Sequence, residues 1–147
     1  MTQSDFNQSG SKRMVIMGCG ALGASVASLL TDKGIFLQIL DTNTNAFDHL
    51  PPGLVEDRRI VPLVGDGTDE RDLLKAAIQE ASVFMALSGS DTKNALAAQI
   101  AKQVFGVPTV ICRVDDPSKG NIYEDMGIVC VSATKLVEDM VIEAADA

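Results

Sequence analysis

Met14-Val-Ile-Met-Gly18-Cys-Gly20-Ala-Leu-Gly23, followed by the apolar run Ile35-Phe-Leu-Gln-Ile-Leu40 and then Asp41, is the stretch that decides the fold. An apolar strand runs into Gly-x-Gly-x-x-Gly, a helix follows, and a second strand ends on an acidic residue. That is the dinucleotide-binding fingerprint in its full strand–helix–strand context. Gly18 permits the tight turn off the strand, Gly20 lets backbone approach a phosphate, and Gly23 lets the helix pack against the strand. The helix expected over 21–33 aims free N–H groups and its positive dipole end at the phosphates, and it stops at Gly34. Asp41 would accept hydrogen bonds from both ribose hydroxyls and repel a 2′-phosphate, and Thr42-Asn43-Thr44-Asn45 brings no arginine to offset that repulsion. The expected ligand carries an unphosphorylated adenosine ribose, which excludes NADP as the main ligand. Gly18, Cys19, Gly20, Ala21, Leu22, Gly23, Asp41 and Thr42 are its candidate contacts. The competing reading is an ordinary strand–helix–strand unit with a glycine-rich turn and no ligand; the acidic end of the second strand argues against it.

Outward from this unit, apolar strand signals alternate with helical stretches. Strands are expected at 13–17, 35–40, 60–64, 83–87, 109–114 and 128–131, and helices at 21–33, 45–50, 70–80, 91–105, 118–126 and 133–145. Such alternation means an α/β fold: a Rossmann-type doubly wound parallel sheet of about six strands with helices on both faces. Asp69 and Asp91 are expected as helix caps, Gly106 and Gly127 as helix ends, and residues 50–59 as one long irregular connection. The chain of 147 residues suits one domain, here 12–147. Residues 1–11 are polar, with neither a basic start nor an apolar h-region, and read as a disordered tail rather than a signal peptide. No apolar run approaches the roughly 20 residues of a membrane span.

Ligands of open parallel sheets bind beyond the carboxyl ends of the strands. Those ends add Gly65, Asp66, Gly67, Ser88, Gly89 and Arg113 to the candidate contacts. Gly65-Asp66-Gly67 is either a capped strand-to-helix turn or an adenine and ribose contact. Arg113 either meets phosphate or pairs with Asp115 or Asp116.

Other chemistry is sparse. Twelve Lys and Arg against 20 Asp and Glu give a net charge of −8, and no basic footprint points to nucleic acid. Cys19, Cys112 and Cys130 are an odd set in or beside apolar strands, which reads as reduced thiols in a cytoplasmic protein. Cys19 near a helix N-terminus is placed where a thiolate would be favoured, although a small filler residue fits as well. His49 is the only histidine. Zinc spacing, a nucleophile elbow and a Gly-Lys-Ser/Thr phosphate loop are all missing from the sequence. A dehydrogenase needs a further domain to hold substrate, and the chain stops about one helix after the sixth strand, which argues against turnover.

Taken together, Gly65-Asp-Gly-Thr-Asp69, Leu73-Leu74, Ala81-Ser-Val-Phe-Met-Ala-Leu87, Asp91-x-x-Asn94, Val110-Ile-Cys-Arg-Val114, Asp116-Pro117 and Tyr123-Glu-Asp-Met-Gly127 resemble the TrkA-N domain. That domain is the nucleotide-binding half of RCK proteins, the regulators of potassium conductance, and the resemblance runs from about Lys12 to Ile142. It implies a cytoplasmic regulatory subunit or domain that binds NAD(H) or an adenine nucleotide (AMP, ADP or ATP). It also implies a homodimer or larger ring, peripheral at the inner face of the cell membrane, gating a potassium transporter or channel subunit. A separate chain carrying the C-terminal domain is a further implied partner. Asp41 would match the ribose carboxylate, Asp66 the adenine-side Asp, Arg113 the strand-end Arg and Glu124 a ligand for a divalent cation. Ala21 departs from the Arg common in the phosphate turn, which favours a smaller ligand such as AMP. Ser88-Gly89-Ser90 lacks the acidic residues common there. The alternative reading is a small NAD-dependent oxidoreductase or its cofactor domain, and a third is a scaffold that only dimerises.

Overall fold

Six parallel strands form a single sheet in the order β3-β2-β1-β4-β5-β6. The computed structural model describes residues 12–146, so the tail reading for 1–11 lies outside the described residues. The strands are β1 (Arg13–Met17), β2 (Phe36–Asp41), β3 (Ile60–Val64), β4 (Val83–Ala86), β5 (Thr109–Arg113) and β6 (Val129–Val131). The helices are α1 (Ala21–Thr31), α2 (Pro52–Glu56), α3 (Glu70–Lys75), α4 (Asp91–Gln99), α5 (Gly120–Glu124) and α6 (Ala133–Asp146). Order reverses between β1 and β4, and a crevice opens there beyond the carboxyl ends.

Alternation along β1 explains the two layers. Met14 and Ile16 pack with Ala24 and Ala27 of α1 and with Ile39 and Leu50 on one face. Val15 and Met17 pack with Leu73 and Ala76 near α3 and with Ala97, Ala98 and Ala101 at α4 on the other. Burial on both faces is why β1 reads as a continuous apolar run. The α/β sheet with helices on both faces is therefore as expected.

Several helices depart from their expected extent. The stretch 70–80 is α3, then Ala77 in left-handed backbone (φ +57°), then a 3₁₀ turn at Ile78–Glu80. Leu73 and Ile78 are both fully buried, yet five residues apart they would point about 140° from each other around a continuous helix. The break turns both inward. The stretch 91–105 ends in a π-helical turn at Ile100–Val104, and 118–126 begins with a 3₁₀ turn at Pro117–Lys119. Residues 45–50 form a 3₁₀ turn, Thr44–His49, rather than an α-helix. Residues 50–59 are not wholly irregular, because Pro52 starts α2 at its first position, where no N–H is needed. Asp91 does not cap α4; Ser90 does, its hydroxyl accepting from the Lys93 N–H at 3.2 Å. Asp69 caps α3 as expected. Helix α6 has no buried residue, and Leu136, Val137, Met140, Val141 and Ile142 are exposed along it.

Candidate functional site

The glycine turn closes the amino end of α1 against two strand ends. Gly18 has φ +102°, and its N–H donates to the Leu40 carbonyl at 2.8 Å. A Cβ there would sit 2.7 Å from the Ser88 nitrogen, and a Cβ on Gly23 would run into the Gly18 carbonyl oxygen. These two glycines are required by the protein's own backbone. Gly20 is different: a Cβ there would meet nothing within 4 Å. It precedes α1 in extended backbone, and no side chain caps the helix. The first-turn N–H groups, beside exposed Ala21 and Leu22, thus have no capping side chain as acceptor, which is what an anion at a helix N-terminus would supply.

Asp41 ends β2 beside this turn. Its Oδ2 accepts from the Cys19 N–H and its Oδ1 from the Asn43 N–H, both at 2.9 Å. An ionised carboxylate offers about four lone-pair sites, so two remain for ribose hydroxyls. Sequence reasoning missed the structural half of this role. The expectation of a favoured thiolate at Cys19 is overturned. The side chain is fully buried, and burial, with the Asp41 charge second, pushes its pKa up to about 11. Of the two readings, the buried filler stands, and only the Cys19 backbone borders the turn.

One cleft gathers Gly18, Asp41, Thr42, Gly65, Asp66, Gly67, Ser88 and Lys93 over the apolar floor of Met17 and Leu40. In the Gly65–Gly67 loop, Asp66 Oδ1 accepts from the Thr68 N–H at 2.9 Å and the Thr68 hydroxyl at 2.6 Å. Those bonds, the hydroxyl's first, hold the Asp66 carboxyl below the ordinary value, with Lys93 adding attraction. The turn reading of this loop holds, since Asp66 shapes it, and Asp66 also lines the cleft together with Asp41. Gly67 is needed for packing, because a Cβ would collide with the Met17 side chain.

The Ser88 and Arg113 ends are joined by Asn94, which sequence reasoning had only as part of a motif. Fully buried Asn94 accepts from the Ser88 N–H at 2.9 Å and hydroxyl at 2.6 Å, and donates to the carbonyls of Ser88 at 2.8 Å and Arg113 at 3.0 Å. Asp91 accepts from the N–H groups of Asp115 and Asp116 at 3.0 and 3.1 Å. Arg113 takes the second of its two readings, pairing with Asp115 at 3.0 Å, while Asp116 caps Ser118. Lys93 was missed as well; nothing distinguishes it in sequence from any lysine in the first turn of a helix. Gly89 is exposed with open space around it. Glu124 sits apart from the cleft, on α5, in a groove with Asn121, Cys130, Lys135 and Asp139. Among the described residues no three His, Cys, Asp or Glu gather as a metal site, around Glu124 or elsewhere.

This arrangement offers uncapped N–H donors for phosphate, a carboxylate with spare acceptors for ribose and an apolar floor. The Trk system potassium uptake protein TrkA of Streptomyces coelicolor is 33% identical over 129 residues, covering 88% of this chain and 56% of that protein. The chain thus spans about half the length of that relative. The solved TrkA-N domain of inner membrane protein ybaL from Escherichia coli matches with TM-score 0.78 and 14% identity over 91% of this chain and 96% of that one. The Kef CTD of Shewanella denitrificans in AMP-bound form matches with TM-score 0.70 and 21% identity over 92% and 80%. At such identities the two structures show the shared fold. Among the described residues no helix is long and apolar enough to cross a membrane. The family model for the TrkA-N domain matches residues 14–134, most of the sequence, and the chain belongs to that family.

Proposed function

We propose that this chain is a non-enzymatic, nucleotide-sensing regulatory subunit or domain of a potassium uptake system or channel. It binds NAD(H) or an adenine nucleotide. The observation that carries this reading is the juxtaposition of open Gly20 with Asp41, whose carboxylate keeps two acceptor sites after bonding Cys19 and Asn43. In this reading the α1 N-terminus holds phosphate, Asp41 the ribose diol, and Asp66, Gly65 and Gly67 the adenosine side. Lys93 tempers the acidic cleft, and Ser88 and Gly89 border the far end. Arg113 stays with Asp115 or swings to phosphate. Glu124 would help hold a divalent cation only with ligands beyond its own groove. The relative's name and the AMP-bound neighbour support the potassium and nucleotide parts. The cleft's polar side chains are Asp41, Thr42, Asp66, Ser88 and Lys93, which form no nucleophile–base pair, and this supports sensing over turnover.

The same reading places the chain at the inner face of the cell membrane, as a homodimer or ring beside a potassium transporter or channel subunit. The exposed apolar stripe of α6 supports assembly with another chain. Gating would follow from the nucleotide's different affinity for two states of that assembly.

A thermal-shift and calorimetric panel of AMP, ADP, ATP, NAD⁺, NADH and NADPH tests the reading. A ligand at about 100 times its Kd adds roughly 2.7 kcal/mol, several degrees for a domain this size. Shifts with nucleotides bearing a free 2′-hydroxyl, and none with NADPH, are expected. No shift with any of them would overturn it.

A further inference from the structure

At the amino ends of the strands, remote in the sheet from Gly18 and Asp41, lies a groove of about 220 Å³. Its floor follows from register. Arg13 pairs with Phe36, and Val15 with Gln38, which in turn pairs with Val61, so these residues share one face of three neighbouring strands. Helix α3 should cover that face, but it stops at Lys75, and the left-handed turn at Ala77 carries the chain away. Ala76 and Ala77 form one wall, and Arg58 stands at the mouth.

One observation singles this groove out, and its cations say what could fill it. Gln38 Oε1 is buried without a hydrogen-bond partner, the one such side-chain atom among the described residues. Buried polar atoms are normally satisfied, so an orphan acceptor beside a cavity calls for a donor from outside. Arg58 (φ +58°) and Ala77 (φ +57°), which line this groove, are each the left-handed residue that follows a helix end, of α2 and of α3. The two arginines of the groove differ. Arg13 is paired with Glu80 at 2.7 Å, whereas no carboxylate lies within 4 Å of the Arg58 guanidinium among the described residues.

We propose that this groove is a second ligand site, taking a small carboxylic acid with an aromatic or branched apolar body and one N–H or O–H donor. The carboxylate meets Arg58, as a planar guanidinium favours. The donor satisfies Gln38 Oε1, and the body lies on Val15, Phe36, Val61 and Ala77. The volume, below the roughly 300–1,000 Å³ of drug-sized pockets, limits the ligand to a single ring or branch.

The test is a ¹⁵N NMR titration of the full chain with N-acetyl-L-phenylalanine. Its neutral amide serves as a control without charge, and phenylacetate as a control without a donor. Saturable shifts are expected at the Val61 and Ala77 amides and the Gln38 side-chain amide, with both controls binding about tenfold more weakly or worse. Arg58→Gly accepts the positive φ without strain, so it should fold normally and lose at least about tenfold in affinity. Gln38→Leu should bring the acid's affinity down to that of phenylacetate. Absence of saturable shifts at those positions, equal binding of the neutral amide, or full affinity in a folded Arg58→Gly variant would each overturn the proposal.

Discussion

Asp41 does two jobs with one carboxylate. It ties the backbone of Cys19 and Asn43 together and still presents acceptors to the cleft. Asp41→Ala should therefore weaken binding of the tightest nucleotide by about 1–3 kcal/mol, since a hydrogen bond to a charged group is lost. It should also lower the urea midpoint, because two N–H groups lose their acceptor. Calorimetry and urea titration separate the two effects, and unchanged affinity would remove Asp41 from the site. Cys19 gives a second check at this scale. A thiol pushed up to about 11 stays protonated at pH 8, and full burial shields it further. Native protein should leave Cys19 unalkylated by iodoacetamide at pH 8 and label it only on unfolding, as peptide mapping would record. Labelling at the rate of a free thiol at neutral pH would contradict this. The glycines and Asp41 were legible in the sequence because their demands are local: a turn, a close approach, a strand end. Asn94 and Lys93 were not, because their roles depend on which strands lie side by side.

At the scale of elements, strands were more legible than helices. The strand expected at 83–87 ends at Ala86, and β2 carries Asp41 within it, small shifts set by where pairing stops. Helices broke where tertiary packing overrode propensity, as at Ala77, where burying both Leu73 and Ile78 required a turn no local pattern announces. Helix α4 is the element that organises the cleft. Asn94 fixes the β4 and β5 ends and Asp91 fixes the loop beyond β5, so its first turn acts as a clamp on two strand ends. Asn94→Ala would take the acceptor from the Ser88 N–H and the amide donor from the Ser88 and Arg113 carbonyls in a partly buried place. Each such group costs about 1–3 kcal/mol, so the variant should lose at least about 2 kcal/mol by urea unfolding. A loss under about 0.5 kcal/mol would mean that water replaces the amide with ease.

For the whole molecule, the order β3-β2-β1-β4-β5-β6 brings Gly18 of the first turn against Ser88 of the fourth strand's end, which is where a parallel sheet of this order holds a ligand. That meeting was foreseeable from the fingerprint, whereas the groove at the opposite end of the strands was not, since it arises from where α3 stops. Gly20 isolates the central claim of nucleotide binding. Its backbone (φ −74°, ψ −168°) suits a β-branched residue, and its Cβ would point into open space, so Gly20→Val should melt as the parent does without ligand. The same valine would fill the space a phosphate needs. Calorimetric titration of AMP and NAD⁺ into the parent and Gly20→Val is the most direct measurement. Binding by the parent and at least a tenfold loss in an equally stable variant is the predicted result. Equal affinity in the two proteins, or no binding by either, would contradict the account.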